Sequence, residues 1–362
     1  MDALANELKD GQFYYVFTGD SQYWFRCTAG NLGCQKATNF CTQSQNGDCS
    51  KEQGLYANRV QETSLTALAA QMNARQVKPK GLVMNGDLTD WGKPDQYEAY
   101  ETQFARRSQP VGGMPFYPGL GNHDYDNNVH HCLLNSCAHR MLSEQAAFVR
   151  EELGRPIDLE TRPANGNSPN EQGLESVHTG SLAYSWNQCS RHPMTGGEKC
   201  VHFVQLNNYP TYNVSFDAVL NTRWLVTSGL PWLRRDLSAH AGMPTVVNFH
   251  DFDTSFKAEG KAALWQVLEA AGNPILGVFF AHYHSSVGQH SESPWCIGGR
   301  PVPLLYSGSI PGNNYLLVRL APGTDHLQAV FALHVYGESA TSIRRLPMPQ
   351  SCSPDASYAF VH

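Results

Sequence analysis

The chain has 362 residues, of which 41% are hydrophobic, and its 26 lysines and arginines against 32 acidic residues give a formal net charge of −6. This size fits a single domain, 1–362, that carries insertions, and the acidic balance argues against a broad nucleic-acid-binding surface. Because the sequence lacks a run of about 18 apolar residues, it predicts no transmembrane segment.

Alternating strand-like and helix-like segments run through most of the chain. Apolar, β-rich segments that end in polar residues predict strands at 13–17, 82–84, 116–120, 201–206, 245–249 and 275–280. Amphipathic segments predict helices at 54–76, 94–106, 230–240 and 258–271. This alternation is typical of an α/β fold. Residues 315–320 and 326–335 predict consecutive strands without a crossover helix, so we expect a second, more antiparallel sheet there.

The ten cysteines fall into local groups. An even number of clustered cysteines favours disulfides and an oxidising compartment, which predicts a secreted or periplasmic protein whose signal peptide has been removed. The alternatives are buried free thiols and a zinc site, although the first four cysteines lack the tight spacing of a zinc knuckle. The groups are Cys27, Cys34, Cys41 and Cys49; Cys132 and Cys137; Cys189 and Cys200; and Cys296 and Cys352.

Two long segments interrupt the alternation of strands and helices. Residues 21–53 are cysteine-rich and lack periodicity, and residues 125–199 are long and polar in places. Long loops without structure of their own are uncommon unless they are functional. We therefore expect two disulfide-pinned insertions, of which the second is a possible substrate cap.

Polar residues follow the ends of five predicted strands. In open α/β sheets, ligands bind at the carboxyl ends of strands. Each motif alone is weak, because aspartate after a strand commonly caps a turn, but five in order predict one metal site. Carboxylate, amide and imidazole groups suit Mn, Fe or Zn. The residues are Asp20 and Gln22; Asp87; Asn122, His123 and Asp124; His250; and His282 and His284.

This ordered set resembles the calcineurin-like metallophosphoesterase superfamily from Asp20 to His284. The family pattern is Asp-x-His, Gly-Asp, Gly-Asn-His-Asp or Glu, a histidine after a strand, and Gly-His-x-His. With the predicted elements, the resemblance implies a four-layer α/β/β/α sandwich of two mixed sheets. It also implies two divalent or mixed-valence metal ions: Asp87 would bridge them, Asp20 and His284 would hold the first, and Asn122, His250 and His282 the second.

The resemblance also assigns catalytic residues and a mechanism. His123 would face the substrate, and Asp124 would fix the orientation of its ring. Two ions about 3.5–4 Å apart would polarise the phosphoryl oxygens, and a hydroxide bridging them would attack phosphorus in line. His123 would stabilise the developing charge or protonate the leaving oxygen. No covalent phosphoenzyme is expected.

Three positions depart from the family pattern. Gln22 stands where the first motif has histidine; its amide oxygen is a weaker ligand than imidazole, so the first metal site is expected to be looser or to hold water there. Ala281 replaces a glycine. Asp90 stands where purple acid phosphatases have a metal-binding tyrosine, so no purple tyrosinate–iron colour is expected.

Aromatic and imidazole side chains beside the motifs are candidate contacts to a small phosphoester substrate, although local packing is the alternative for each. We favour a phosphodiester over a phosphomonoester, because no lysine or arginine adjoins a motif. A phosphomonoesterase of the acid phosphatase type and a catalytically weak binding or effector protein, which Gln22 would favour, are the alternatives. The candidate contacts are Trp91, Tyr125, His130, His131 and Tyr283.

Overall fold

A computed structural model describes residues 8, 12–23, 50–105, 111–191, 198–335 and 341–352. Strands and helices are numbered in chain order within these residues. The helices are α1 (Ser50–Asn73), α2 (Pro94–Tyr100), α3 (Ser136–Ala147), α4 (Leu230–Ala239) and α5 (Ala258–Ala271). Every helix in these ranges lacks the length or the apolar character that crossing a bilayer requires.

The first of two six-stranded sheets contains the N-terminal and C-terminal strands. Its order is β18-β17-β16-β1-β2-β3, with β1, β2 and β3 parallel and the other pairings antiparallel. The strands are β1 (Phe13–Thr18), β2 (Gly81–Met84), β3 (Phe116–Pro118), β16 (Asn314–Leu320), β17 (Ala329–Val335) and β18 (Thr341–Arg345). The antiparallel pairing of the C-terminal strands is confirmed. Their assignment to a separate sheet is wrong, because β16 pairs with β1, with Phe13 opposite Leu320.

The second six-stranded sheet supplies the other half of the core. Its order is β12-β15-β11-β10-β7-β6, with the four central strands parallel and both edge strands antiparallel. Two mixed sheets are thus present, as predicted. The strands are β6 (Tyr184–Arg191), β7 (Glu198–Gln205), β10 (Thr245–Asn248), β11 (Ile275–Phe280), β12 (Val287–Gln289) and β15 (Leu304–Ser307).

Aromatic rings join the two large sheets. Successive side chains of a strand point to opposite faces. Tyr15 of β1 therefore packs against Phe203, with ring centroids 4.4 Å apart, and Phe17 stacks on Phe279 at 4.2 Å. Tyr14 and Val16, which alternate with these residues along β1, belong to a different apolar cluster, which includes side chains of α1. Side chains of α4 and α5 pack with the second sheet in a third cluster. The complete four-layer arrangement stays a prediction.

Smaller elements lie outside the two large sheets. One additional sheet has the order β4-β5-β9-β8 and another pairs β13 with β14. The predicted insertion 125–199 contains α3, β4 and β5, but also β6 of the second large sheet. The sequence analysis missed β8 and β9. The strands are β4 (Glu160–Pro163), β5 (Ser176–Gly180), β8 (Val214–Ala218), β9 (Thr222–Val226), β13 (Trp295–Ile297) and β14 (Arg300–Val302).

The described residues contain three disulfides, which confirms the prediction that cysteines of this chain are paired. They join Cys132 to Cys137, Cys189 to Cys200 and Cys296 to Cys352. The pair at 189 and 200 links neighbouring residues of β6 and β7. Cys27, Cys34, Cys41 and Cys49, with most of the predicted insertion 21–53, lie outside the described residues.

Candidate metal centre

The candidate ligands follow the carboxyl ends of β1, β2, β3, β10 and β11, and several have an unusual backbone conformation. Asp20, Gln22, Asp87 and His282 have φ angles of 56°, 31°, 53° and 73°. This left-handed region is sparsely populated by residues other than glycine, and such outliers concentrate at functional sites. The sharp turns direct polar side chains back over the strand ends.

Glycines allow these turns to approach one another closely. A Cβ atom on Gly121 would clash with the Asp87 carboxylate. Gly86 has a φ of +85°, and a Cβ there would lie 2.7 Å from the ring of His250. Both motifs therefore need glycine for space, and Gly86 is also needed for its backbone conformation.

Four ligand atoms converge at one point. The Nε2 atom of His250 lies 3.0 Å from Oδ1 of Asn122, 3.1 Å from Oδ2 of Asp87 and 3.2 Å from Nδ1 of His282. The Asn122 oxygen is 3.1 Å from the same His282 nitrogen. An ion with ligands at about 2.0–2.1 Å in tetrahedral geometry separates them by about 3.3 Å. The observed spacing therefore fits a transition-metal ion.

Hydrogen bonds on the far side of both imidazoles orient these ligand atoms. Nδ1 of His250 lies 2.7 Å from the carbonyl oxygen of Asn85, to which it donates. Nε2 of His282 lies 2.9 Å from Oγ1 of Thr254. Such partners fix the tautomer of a metal-binding histidine. The lone pair of each ring is thereby directed toward Asp87 and Asn122.

A buried carboxylate without hydrogen bonds marks a second position for a cation. Asp20 is fully buried, and neither of its carboxylate oxygens has a hydrogen-bond partner among the residues that the structure describes. Nε2 of His284 lies 3.6 Å from Asp20 Oδ1. A buried, unpaired carboxylate is costly, and a bound cation would remove that cost. The donor set of Asp20 and His284 thus fits the first metal ion of the family pattern.

Gln22 lies between these two groups of ligands. Its Nε2 donates a hydrogen bond to Asp87 Oδ2 at 3.0 Å, and its buried Oε1 atom has no hydrogen-bond partner within the described part of the chain. The side chain is therefore in contact with the residue that would bridge the ions. Its ligation of the first ion stays a prediction.

Charge interactions at the centre favour a cation. Burial disfavours the charged Asp87 carboxylate, but His250 and His123 outweigh this effect and lower its pKa. Burial likewise disfavours protonated His250, but the charge of Asp87 and its hydrogen bond to the ring oppose this effect. The net result is that the pKa of His250 is raised to about 10. The carboxylates thus stabilise positive charge at the place where a metal ion would sit.

His123 lies beside this centre and keeps part of its side chain exposed. Its Nδ1 atom lies 3.0 Å from the carbonyl oxygen and 3.2 Å from the carboxylate of Asp90, and its backbone N–H donates to Asp87 Oδ1 at 2.9 Å. Burial opposes protonation of the ring, but Asp87 and Asp90 outweigh it and raise the pKa of His123 to about 9. A protonated His123 can act as an acid toward a leaving oxygen.

The prediction that Asp124 orients His123 is wrong. The Asp124 carboxylate is buried and accepts hydrogen bonds from the backbone N–H groups of Gly121, Leu88 and Thr89 and from the Thr89 hydroxyl. Adjacent residues on a turn direct their side chains apart. Asp124 therefore joins the turn that carries Asn122 to the turn that carries Asp87, and Asp90 contacts the His123 ring instead.

A family model described as calcineurin-like phosphoesterase matches residues 16–286, more than half of the chain. The chain belongs to this family. The resemblance inferred from the motifs is thereby confirmed, and the candidate ligands from Asp20 to His284 all lie inside the matched range.

No curated protein matches the chain. GAP50, "the anchor in the inner membrane complex of Plasmodium", aligns with a TM-score of 0.49 and 11% identity, over 94% of this chain and 90% of that chain. TT1561 of Thermus thermophilus aligns with a TM-score of 0.39 and 10% identity, over 85% of this chain and 94% of that chain. PhoD aligns with a TM-score of 0.41 and 10% identity, over 95% of this chain and 73% of that chain. These similarities are too low to inform substrate or partners.

The candidate substrate contacts occupy different environments. Tyr125 is buried and packs edge-on against Tyr212, so its ring belongs to the core. Trp91 and His131 contact each other, with ring centroids 5.4 Å apart. His130 is exposed, and Tyr283 is 44% exposed beside the ring of His282. Three of these four non-core side chains thus contact one another or a predicted ligand.

Two supporting residues of the site were not predicted from the sequence. Asp90 was noted as a replacement for tyrosine, not as the partner of His123. Its signal was the Gly-Asp-x-x-Asp spacing, which returns the second aspartate to the same turn. Thr254, which contacts His282, carried no sequence signal, because it lies four residues after His250 in an irregular segment.

Replacing Asp90 by alanine should reduce kcat for phosphoester hydrolysis about 10–100-fold, because residues that orient an imidazole at a metal site have effects of this size. Metal content and KM should change little, since Asp90 contacts His123 rather than a predicted ligand. Asp90→Asn, which keeps a hydrogen-bond acceptor, should recover part of the loss. Asp95→Ala, on the exposed first turn of α2, is the control. Unchanged kcat in Asp90→Ala would contradict the assignment.

Proposed function

We propose that this protein hydrolyses phosphoesters, with diesters preferred over monoesters, using water activated between two bound metal ions. The observation that carries the proposal is the convergence of ligand atoms from Asp87, Asn122, His250 and His282 beside the unpaired carboxylate of Asp20. When bound, two ions would polarise the phosphoryl oxygens and lower the pKa of the attacking water.

The protein side chains have separate tasks in this reaction. Asn122, His250 and His282 would hold one ion, Asp20 and His284 the other, and Asp87 both, with Gln22 alongside. His123, exposed at the rim and held by Asp90, would donate its proton to the leaving oxygen. Proton donation of this kind contributes typically about 10²–10⁴-fold to the rate.

The charge distribution supports a diester substrate. The groups that perturb the pKa values of Asp87, His123 and His250 are aspartates, histidines and two backbone carbonyls. Asp90 places a further carboxylate at His123. A phosphomonoester dianion is usually bound by arginine or lysine, whereas a diester carries one charge less and has less need of such a partner. Repulsion from the surrounding carboxylates therefore disfavours binding of a phosphomonoester dianion more than binding of a diester.

The test combines elemental analysis with turnover of bis-p-nitrophenyl phosphate and p-nitrophenyl phosphate, each with added Mn, Zn or Fe. We expect two ions per chain and a higher kcat/KM for the diester. A higher value for the monoester would replace the diester proposal by an acid phosphatase-like activity. The Mn, Zn and Fe series would identify the ions that support turnover.

Gln22 favours a second candidate, a catalytically weak binding or effector protein on the same scaffold. An amide at the first metal position binds an ion less tightly than an imidazole would. One ion or none per chain, with neither ester cleaved, would support this candidate. The Asp90–His123 contact opposes it, because a protein that only binds has no use for an oriented imidazole.

The setting of the enzyme forms part of the proposal. Three disulfides fit an oxidising compartment, so we place the protein outside the cytosol, as a secreted or periplasmic enzyme. A single domain over 1–362, with an insertion at 125–199 whose part before β6 acts as a substrate cap, completes the proposed organisation.

A further inference from the structure

Two loop tips expose leucine side chains. Leu133 and Leu134 are 83% and 65% exposed in the loop closed by the Cys132–Cys137 disulfide. Leu220 is 75% exposed in the turn between β8 and β9. A single exposed leucine needs no explanation, but adjacent exposed apolar side chains mark interaction sites. We call Leu133, Leu134 and Leu220 the leucine tips.

The leucine tips have a disfavoured but restrained backbone. Leu134 and Leu220 have φ angles of 51° and 59°, in the left-handed region where a leucine side chain crowds the backbone. The disulfide closes the first loop, and Asn135 Nδ2 donates to the carbonyl oxygen of Asp217 in β8 at 2.7 Å. This hydrogen bond joins the first loop to the hairpin that carries Leu220, so both tips are held on one part of the surface.

The leucine tips are connected to the metal centre through the intervening segment. Nδ2 of Asn128 donates to the carbonyl oxygens of His123 and Asp124, at 2.7 and 2.8 Å. His131 contacts Trp91. The chain from His123 to the disulfide loop is thus anchored at several points, which fixes the leucine tips relative to the catalytic histidine.

The charge of this surface identifies the kind of partner. Asp217 of β8 is paired with Arg223 of β9. Nη2 of Arg223 lies 2.8 Å from Oδ2 of Asp217, so the two charges compensate each other. Exposed leucines beside an ion pair whose charges cancel fit a partner that is apolar in its interior and has no net charge at its surface. A zwitterionic bilayer has this character, and its acyl region accepts side chains of any shape, whereas a protein partner needs a matching pocket.

We propose that Leu133, Leu134 and Leu220 insert into the surface of a zwitterionic lipid bilayer and hold the protein there as a peripheral membrane protein. This inference goes beyond the proposed hydrolysis and does not depend on it. Vesicle binding is measured without turnover, so either proposal can fail alone.

The test is sedimentation of the full chain with phosphatidylcholine vesicles. The unmodified protein should bind. The double variant Leu133→Ser/Leu134→Ser should bind at least about tenfold more weakly, because full burial of one leucine side chain in the bilayer strengthens binding by at least this factor. Leu220→Ser should weaken binding less. Leu55→Ser, at a 40% exposed leucine on α1, is the matched control and should bind normally.

Several results would overturn the lipid proposal. Failure of the unmodified protein to bind phosphatidylcholine vesicles is one, and equal binding by the double variant is another. Binding that requires phosphatidylserine would show that charge rather than the leucines directs attachment. A dimer in sedimentation equilibrium that the double variant dissociates would assign the leucines to a contact between copies. Thermal unfolding of each leucine variant, followed by circular dichroism and matching that of the unmodified protein, would exclude misfolding as the cause of lost binding.

Discussion

Replacing Asp87 by alanine should remove both metal ions and abolish phosphoester hydrolysis. The Asp87 carboxylate contacts His250, Gln22 and the backbone of His123, and it is the group placed to contact both ions. Without it, each ion would lose a ligand, and His250 would lose the main interaction that stabilises its positive charge. Metal content by elemental analysis and turnover of bis-p-nitrophenyl phosphate should both fall to background.

Asp87→Asn separates loss of the charge from loss of packing, because it keeps the volume of the buried side chain. It should also lose metal, since an amide is a poorer bridge than a carboxylate. Asp95→Ala serves as the surface control. Thermal unfolding followed by circular dichroism would verify that each variant is folded. Retention of two ions by a folded Asp87→Ala protein would refute the bridging assignment.

Replacing His123 by alanine should leave both ions bound and lower kcat by about 10²–10⁴-fold, the usual contribution of a positioned acid. His123 is placed at the rim of the ligand cluster, and its imidazole contacts Asp90 instead of a predicted ligand. The effect should be smaller for a diester with a good leaving group, which needs little protonation, than for a methyl ester. Steady-state kinetics with both leaving groups would measure the difference.

His326→Ala is a suitable comparison, because His326 is an exposed imidazole near the start of β17, away from the predicted ligands. It should retain normal turnover. Loss of one ion from His123→Ala would show that the ring is a ligand, and the assignment as an acid would then be wrong. An equal loss of rate for both leaving groups would also contradict proton donation.

The metal ligands could be predicted from sequence because strand ends are easy to recognise. Asp20, Asp87 and Asn122 each come a few residues after the end of a short apolar strand, and parallel strands bring their carboxyl ends to one edge of a sheet. The partner of His123 could not be predicted in this way. Asp124 is adjacent in sequence, but the tight turn directs it to Thr89, while Asp90 approaches from another loop.

Strand pairing was the least predictable part of the fold. The pattern of 315–320 and 326–335 predicts strands but does not tell which earlier strand they pair with. Pairing of β16 with β1 joins opposite ends of the chain, and this long-range choice depends on the packing of the whole core. The β8–β9 hairpin was missed because its alternation of apolar and polar residues is short.

The aromatic contact between the two large sheets has a consequence for the metal centre. Asp20, Asp87 and Asn122 extend from the sheet that contains Phe17, whereas His250, His282 and His284 extend from the sheet that contains Phe279. Bound ions would therefore cross-link two halves of the core that are otherwise joined by stacked rings and connecting segments. The bound ions would hold the two large sheets together. A chain that loses its ions would therefore lose a structural link between the sheets as well as its catalytic activity.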